Sequence, residues 1–286
     1  MKIAVFSDIH GNYNAFKRCL EYSFSQNITN YIFLGDYVGE LAYPQKTMQM
    51  IYGLDKKYNC YFIKGNKEDY WINYHKNKEE KWQYNNSTTG SLIYTFEKLN
   101  DDDLMFFENL DFVSEVDIDG YPKLTLCHGS PYKVNEKMLP DDIRTSEIAD
   151  KNINKYILCG HTHIQMHIPH KEKIILNPGS VGLPLYSNGK TQFMILDGNN
   201  NKWQHQFISL EYDVDETIND LYKEELHIKA PYWCIVSENM LRYGNISHAK
   251  VLDEAMEICK DKYGKCIYPD IPEECWKNAV ENMLSI

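Results

Sequence analysis

Five times up to His163, a short apolar run stops at a polar residue beside a glycine. Lys2–Ser7 leads into Asp8-Ile9-His10-Gly11-Asn12, Tyr31–Leu34 into Gly35-Asp36, and Cys60–Lys64 into Gly65-Asn66-Lys67. Leu124–Cys127 leads into His128-Gly129-Ser130, and Lys155–Cys159 into Gly160-His161-Thr162-His163. Short continuous apolar runs are the pattern of strands covered on both faces. Open α/β sheets bind ligands beyond the carboxyl ends of such strands, where glycine lets the backbone come close. Each polar residue has an ordinary reading of its own: Asp caps a helix, Asn makes a turn, His sits half-buried at a surface. Five strand ends that together offer only oxygen and imidazole, with no cysteine, point instead to one metal centre.

The rest of the chain supplies the frame. Asn14–Gln26 carries Ala15, Phe16, Cys19 and Leu20 at helical spacing, and further helices are expected at Pro44–Leu54, Ser87–Leu99, Asp102–Asn109 and Asp141–Lys151. Strands at Ile174–Leu176, Gln192–Leu196 and Gln204–Leu210, with a turn at Asp197–Asn201, complete an α/β chain with a mixed sheet. From about Glu211 the strand pattern stops. Asp215 is placed to cap a helix through Leu226, Ser247 one through Lys260, and a last helix runs near Glu273–Leu284. Residues 211–286 thus read as a helical C-terminal extension of a 1–210 core.

Acidic residues outnumber basic ones, 41 to 30, for a formal net charge of −11. That excludes a protein that coats nucleic acid or anionic membrane non-specifically. No apolar run reaches the roughly 18–20 residues of a membrane-spanning helix, and Met1–Asp8 is too short for a signal peptide. Eight cysteines with no CxxC pair read as reduced, structural thiols of a cytoplasmic protein. A phosphate-bearing ligand would need a local positive charge, and metal ions supply one. Asp8, Asp36, Asn66, His10, His128, His161 and His163 are too many donors for one ion but suit two that share a carboxylate. Sulfur-free N/O ligation favours Mn²⁺, Fe or Zn²⁺ over Ca²⁺.

In order and spacing, Asp8-x-His10, Gly35-Asp36, Gly65-Asn66, His128 and Gly160-His161-x-His163 resemble the five signature motifs of calcineurin-like metallophosphoesterases, across residues 1–210. The resemblance implies a four-layer α-β-β-α sandwich with mixed sheets, carrying here the helical C-terminal appendage. It also implies two divalent ions, Mn²⁺ foremost. One ion would take Asp8, His10, Asp36 and His163; the other would take Asp36, Asn66, His128 and His161, with Asp36 bridging. His128 and His161 would stabilise charge on the phosphoryl oxygens. The loop Asn177–Pro184 and the stretch Leu99–Leu104 look like the smaller prokaryotic phosphodiesterase branch. The tail from Leu210 is similar to bacterial members that hydrolyse diadenosine tetraphosphate. The implied substrate is a small nucleotide-like phosphodiester or phosphoanhydride. A protein phosphatase or nuclease on the same scaffold, and a non-catalytic metal- or nucleotide-binding regulator, are the rival readings.

One departure matters. The family often carries His directly after the Gly-Asn pair, where it protonates the leaving group or holds the phosphate; here the residue is Lys67. Lys67 is expected to contact a substrate phosphate as a point charge, and good leaving groups are favoured over alkyl monoesters. Asn12 is a candidate to orient substrate, with helix capping as its other role. Tyr37, Tyr70, Trp71 and Tyr132 are candidates to stack on a nucleobase, or else core residues. His167 and His170 read as surface or supporting residues.

Overall fold

Both faces of strand β1 (Lys2–Phe6) are apolar, and a strand sends successive side chains to opposite sides. In the computed structural model, which describes residues 1–77 and 81–284, Ala4 and Phe6 face helices while Ile3 and Val5 face a second sheet. Strands β2 (Asn30–Phe33) and β3 (Asn59–Phe62) continue β1 in parallel. The first sheet is completed by two strands out of chain order: β9 (Thr191–Asn199) lies antiparallel on the other edge of β1, and β10 (Lys202–Leu210) lies antiparallel to β9 beyond it. The second sheet is also mixed: β4 (Val113–Val116), β5 (Leu124–Cys127), β6 (Tyr156–Leu158), β8 (Lys173–Pro178) and β7 (Gln165–His170), in that spatial order.

Helices α1 (Tyr13–Ser25), α2 (Pro44–Asp55), α3 (Asn66–Asn77), α4 (Gly90–Lys98) and α5 (Asp101–Glu108) cover the first sheet. Helix α6 (Ile143–Lys151) covers the second through Ile148 and Ala149. The layers run α-β-β-α, as the family resemblance implies. All eight cysteines are free thiols.

Several elements outside the expected set lack a continuous apolar pattern. Strands β4 and β7 are sheet edges whose alternate residues stay polar, so no apolar run marks them; Pro169 is tolerated because an edge strand needs no donor there. Helix α3 buries only Glu68, Trp71 and Ile72, too little to show a hydrophobic period. In the tail, α7 (Val214–Lys223) is capped by Asp213 rather than Asp215 and stops before Leu226, which opens the short α8 (Leu226–Lys229). An unexpected α9 (Pro231–Tyr243) follows, starting on a proline and ending at left-handed Gly244. Ser247 caps α10 (His248–Tyr263), and α11 (Glu273–Leu284) closes the fold.

The tail is fastened to the sandwich. Its core around Val236, Val251, Ala255 and Trp276 is continuous with Leu41, Ala42, Tyr94 and Leu183. Ser87 donates through N and Oγ to the Glu273 carboxylate at 2.7 and 2.6 Å, and Trp276 Nε1 donates to Thr88 Oγ1 at 2.9 Å.

Candidate metal centre

The polar strand ends are set apart by their backbone. Asp8, His10, Asp36, His161 and His163 all have φ between 50° and 66°. That left-handed region costs an ordinary residue roughly 1–2 kcal/mol and recurs where function demands it. Hydrogen bonds between neighbouring turns hold the strain: Asp8 N to Gly35 O at 3.1 Å, His10 N to Asp36 O at 3.0 Å, Gly160 N to His128 O at 2.7 Å. A Cβ on Gly160 would fall 2.0 Å from Ser7 Oγ, so only glycine lets these two strand ends cross.

The turns aim their side chains at one place. His163 Nε2 lies 3.2 Å from Asp8 Oδ1 and 3.1 Å from His10 Nε2. His10 Nε2 is 3.7 Å from both Asp8 Oδ1 and Asp36 Oδ2. His128 Nε2 is 3.8 Å from Asp8 Oδ1 and 3.5 Å from Asp36 Oδ2. Two donor groups result, Asp8–His10–His163 and Asp8–Asp36–His128, with Asp8 common to both and Asp36 Oδ2 within 3.7 Å of His10 in the first. Asn66 and His161 join His10, Asp36 and His163 along one cavity wall, and the His161 ring lies 5.2 Å from that of His128.

Whether these residues fit cations can be decided from their other contacts. Nδ1 of His128 faces Leu34 O, Nδ1 of His163 faces Leu183 O, and Nδ1 of His10 faces Glu40 Oε2, each at 2.7 Å. Carbonyl oxygens only accept, so Nδ1 is the donor in His128 and His163, and their neutral imidazoles present an Nε2 lone pair. The His10–Glu40 contact is at ion-pair distance without hydrogen-bond alignment, since neither atom has a hydrogen-bond partner. The Nε2 atoms of His10 and His163 face each other at 3.1 Å. Buried Asp8 Oδ1, Asn66 Oδ1 and His128 Nε2 have no hydrogen-bond partner. The second Asp8 oxygen is satisfied by Ser7 Oγ at 2.5 Å and His161 N at 3.0 Å, and Asp36 Oδ1 by Lys67 N at 2.9 Å. Metal–ligand bonds of about 2.0–2.2 Å set neighbouring ligands roughly 3–3.5 Å apart. The donor set fits divalent cations.

In the metal-free protein, protons take that place. Burial opposes charge on His10 most strongly of any one cause, but Glu40, Asp8 and Asp36 together outweigh it and hold the ring up at about 10. Burial likewise opposes charge on His128, and Asp36 with Asp8 holds it up at about 9. Both values lie above the unfolded 6.5, so this stabilisation is complete below pH 6.5 and is lost as pH rises through 9–10. Metal uptake at about pH 8 must displace these protons. Titration calorimetry should thus give metal-binding heats that differ between buffers of different ionisation enthalpy, and buffer-independent heats would contradict the arrangement.

The remaining candidates separate clearly. Lys67 lines the cavity, but its ammonium is paired with the buried Glu40 carboxylate. Asn12 does not join the wall: its Oδ1 caps α1 through Ala15 N, and its Nδ2 donates to Gly182 O and to the Tyr212 hydroxyl. Of the four aromatic candidates only Tyr70 reaches the cavity; Tyr37 and Trp71 are core, and Tyr132 packs outside beneath Arg144. His167 packs against His205, and His170 pairs with Asp150 at the surface.

Sequence reasoning missed two carboxylates, Glu40 and Glu68, and the tail. Glu68 accepts from the backbone N–H groups of Gly65, Asp36 and Tyr37 at 2.7–3.0 Å, tying two of the polar turns together. Burial, reinforced by Asp36, raises it to about 7. Its only sequence signal is its place three residues after Gly65. The cavity holds about 390 Å³, and Trp233, Met240, His248 and Leu252 of the tail line it together with the metal residues.

The model of the calcineurin-like phosphoesterase superfamily domain matches residues 1–201. An uncharacterised protein of Methanocaldococcus jannaschii is 27% identical over 248 residues, 81% of this chain and 94% of its own length. Two solved structures share the fold. A hypothetical protein of Pyrococcus horikoshii aligns with a TM-score of 0.73 at 21% identity, over 86% of this chain and 99% of its own. A metallophosphoesterase of Sphaerobacter thermophilus aligns at 0.66 and 20% identity, over 84% and 99%. Both alignments cover more of the chain than residues 1–201 can supply, so part of the helical tail belongs to the shared fold.

Proposed function

Because the chain belongs to the calcineurin-like phosphoesterase superfamily and is thus a metal-dependent phosphoesterase, we propose that it cleaves phosphodiester or phosphoanhydride bonds in small, nucleotide-like substrates. The observation that carries this reading is the cavity. Metal residues and tail residues such as Trp233, Met240 and Leu252 line one space of about 390 Å³. That is room for a small molecule, and a folded phosphoprotein or a nucleic-acid duplex does not enter it. Tyr70 and Trp233 offer aromatic surface for a base. A compact mononucleotide-sized diester suits the volume best, and a diadenosine polyphosphate would extend through the mouth.

Two divalent ions, when bound, acidify a water and neutralise phosphoryl oxygens. Asp8, His10, Asp36 and His163 would hold one; Asp36, Asn66, His128 and His161 would hold the other. The sulfur-free donor set favours Mn²⁺. Burial, then the neighbouring His128, keeps His161 low at about 4, so at neutral pH its ring is uncharged and can offer a lone pair. Lys67 presents the substrate with a charge already balanced by Glu40. With Lys67 already paired to Glu40, substrates that depart without protonation are favoured: aryl diesters and anhydrides over alkyl monoesters. Eight free thiols fit a cytoplasmic setting, and no described helix is long and apolar enough to cross a membrane.

Chelator-stripped protein reloaded with Mn²⁺ should hydrolyse an aryl phosphodiester and nucleotide diesters or anhydrides, and lose that activity to excess chelator. A panel containing a phosphopeptide and single-stranded DNA tests the reading. Faster turnover of either polymer than of every small diester would overturn it.

A further inference from the structure

We infer that Glu40 is a positioning residue for the metal centre: it orients His10 toward the cation and is itself held in place by Lys67. The inference rests on the dinuclear reading above. Glu40 and His10 are 5% and 2% exposed, and Glu40 Oε2 lies 2.7 Å from His10 Nδ1. The other Glu40 oxygen meets the Lys67 ammonium, which is itself only 13% exposed. Burying a carboxylate is costly unless it is paired, and here the Lys67 ammonium donates to one oxygen while the imidazole edge lies in ion-pair contact with the other. A carboxylate set against Nδ1 of a metal-binding histidine holds the ring and makes Nε2 a better ligand.

The chain leading to Glu40 is built for this contact. It folds back over its own target: Gly11 N donates to Tyr37 O at 3.0 Å, and Leu41 N donates to His10 O at 3.3 Å. Between them, Gly39 lies flat on the imidazole, where a Cβ would come within 2.6 Å of Nδ1. Thr95 Oγ1 then donates to Gly39 O from the α4 side. Of the three metal-directed rings whose Nδ1 meets an oxygen at 2.7 Å, His128 and His163 rely on neutral backbone carbonyls, and His10 faces a carboxylate. Lys67 stands one residue after Asn66, so the pair also ties the two proposed ion sites together. This assigns Lys67 to Glu40 rather than to substrate.

The test is metal binding, read without substrate. Wild-type protein, Glu40→Gln and Glu40→Asp are titrated with Mn²⁺ against a chelating dye, with folding monitored by circular dichroism and the visible spectrum recorded for Co²⁺-loaded samples. Gln keeps the shape but loses the charge and turns an amide toward the ammonium. Asp keeps the charge but is one methylene too short to span both partners. We expect one of two ions to bind about 10–100-fold more weakly in Glu40→Gln, a smaller loss in Glu40→Asp, and an altered Co²⁺ spectrum in both. Should Glu40→Gln fail to fold, Glu40→Asp carries the same readout. Variants that melt earlier yet bind both ions with wild-type affinity and spectrum would overturn the inference. A wild-type protein that takes up fewer than two ions would overturn the dinuclear reading, and this inference with it.

Discussion

Asp36→Asn should leave a folded protein that binds at most one ion and turns over at least about 10³-fold more slowly, a barrier increase of roughly 4 kcal/mol. The fold survives because the substituted amide would keep the acceptor that Lys67 N uses at 2.9 Å, and Glu68 would still receive the backbone N–H groups of positions 36 and 37. What changes is Oδ2. It lies 3.7 Å from His10 Nε2 and 3.5 Å from His128 Nε2, within reach of a histidine from each donor group. An NH₂ in that position donates where a lone pair is required and removes the charge that offsets the cations. Elemental analysis of dialysed protein, together with initial rates on an aryl diester, measures both effects. Full metal content with full turnover would show that Asp36 does not bridge.

Trp233→Ala should separate substrate capture from metal binding. Trp233 stacks on His248 with ring centroids 4.2 Å apart and meets Trp276 edge-on at 5.6 Å. Its ring lies 5.9 Å from the Lys67 ammonium and forms part of the cavity wall. Truncation of a packed aromatic costs about 3–5 kcal/mol, which for a chain of this size lowers Tm on the order of 10 °C. No metal residue packs on the ring, and Lys67 keeps its Glu40 partner, so two ions should still bind. KM for a mononucleotide-sized diester should rise at least about 10-fold, the cost of losing one stacked base, while bulkier diesters gain relative to it. Thermal unfolding and a KM series over substrates of increasing size measure both. An unchanged KM would mean that the tail wall does not contact substrate.

The sandwich is legible because strands covered on both faces leave apolar runs, and the metal residues because each stands where such a run stops. The strands without that signature, Val113–Val116 and Gln165–His170, lie at edges where one side stays polar. Lys67 stands beside its motif, yet its partner Glu40 lies 27 positions away. Trp233 and His248 are hidden for the same reason. Nothing near them in the chain marks a cavity wall, and only the packing of the tail onto Leu41, Ala42 and Leu183 brings them to the site.

The left-handed turns under the metal residues bear on how such a protein can change over generations. At positions 8, 10, 36, 161 and 163 the backbone favours Gly or Asn over the Asp and His that stand there. A lineage released from catalysis would therefore gain stability by drifting to those residues, each replacement easing local strain while erasing a ligand. Several independent reversals, each destabilising alone, would then be needed to recover activity. Loss of function on this scaffold is favoured by the fold and hard to undo.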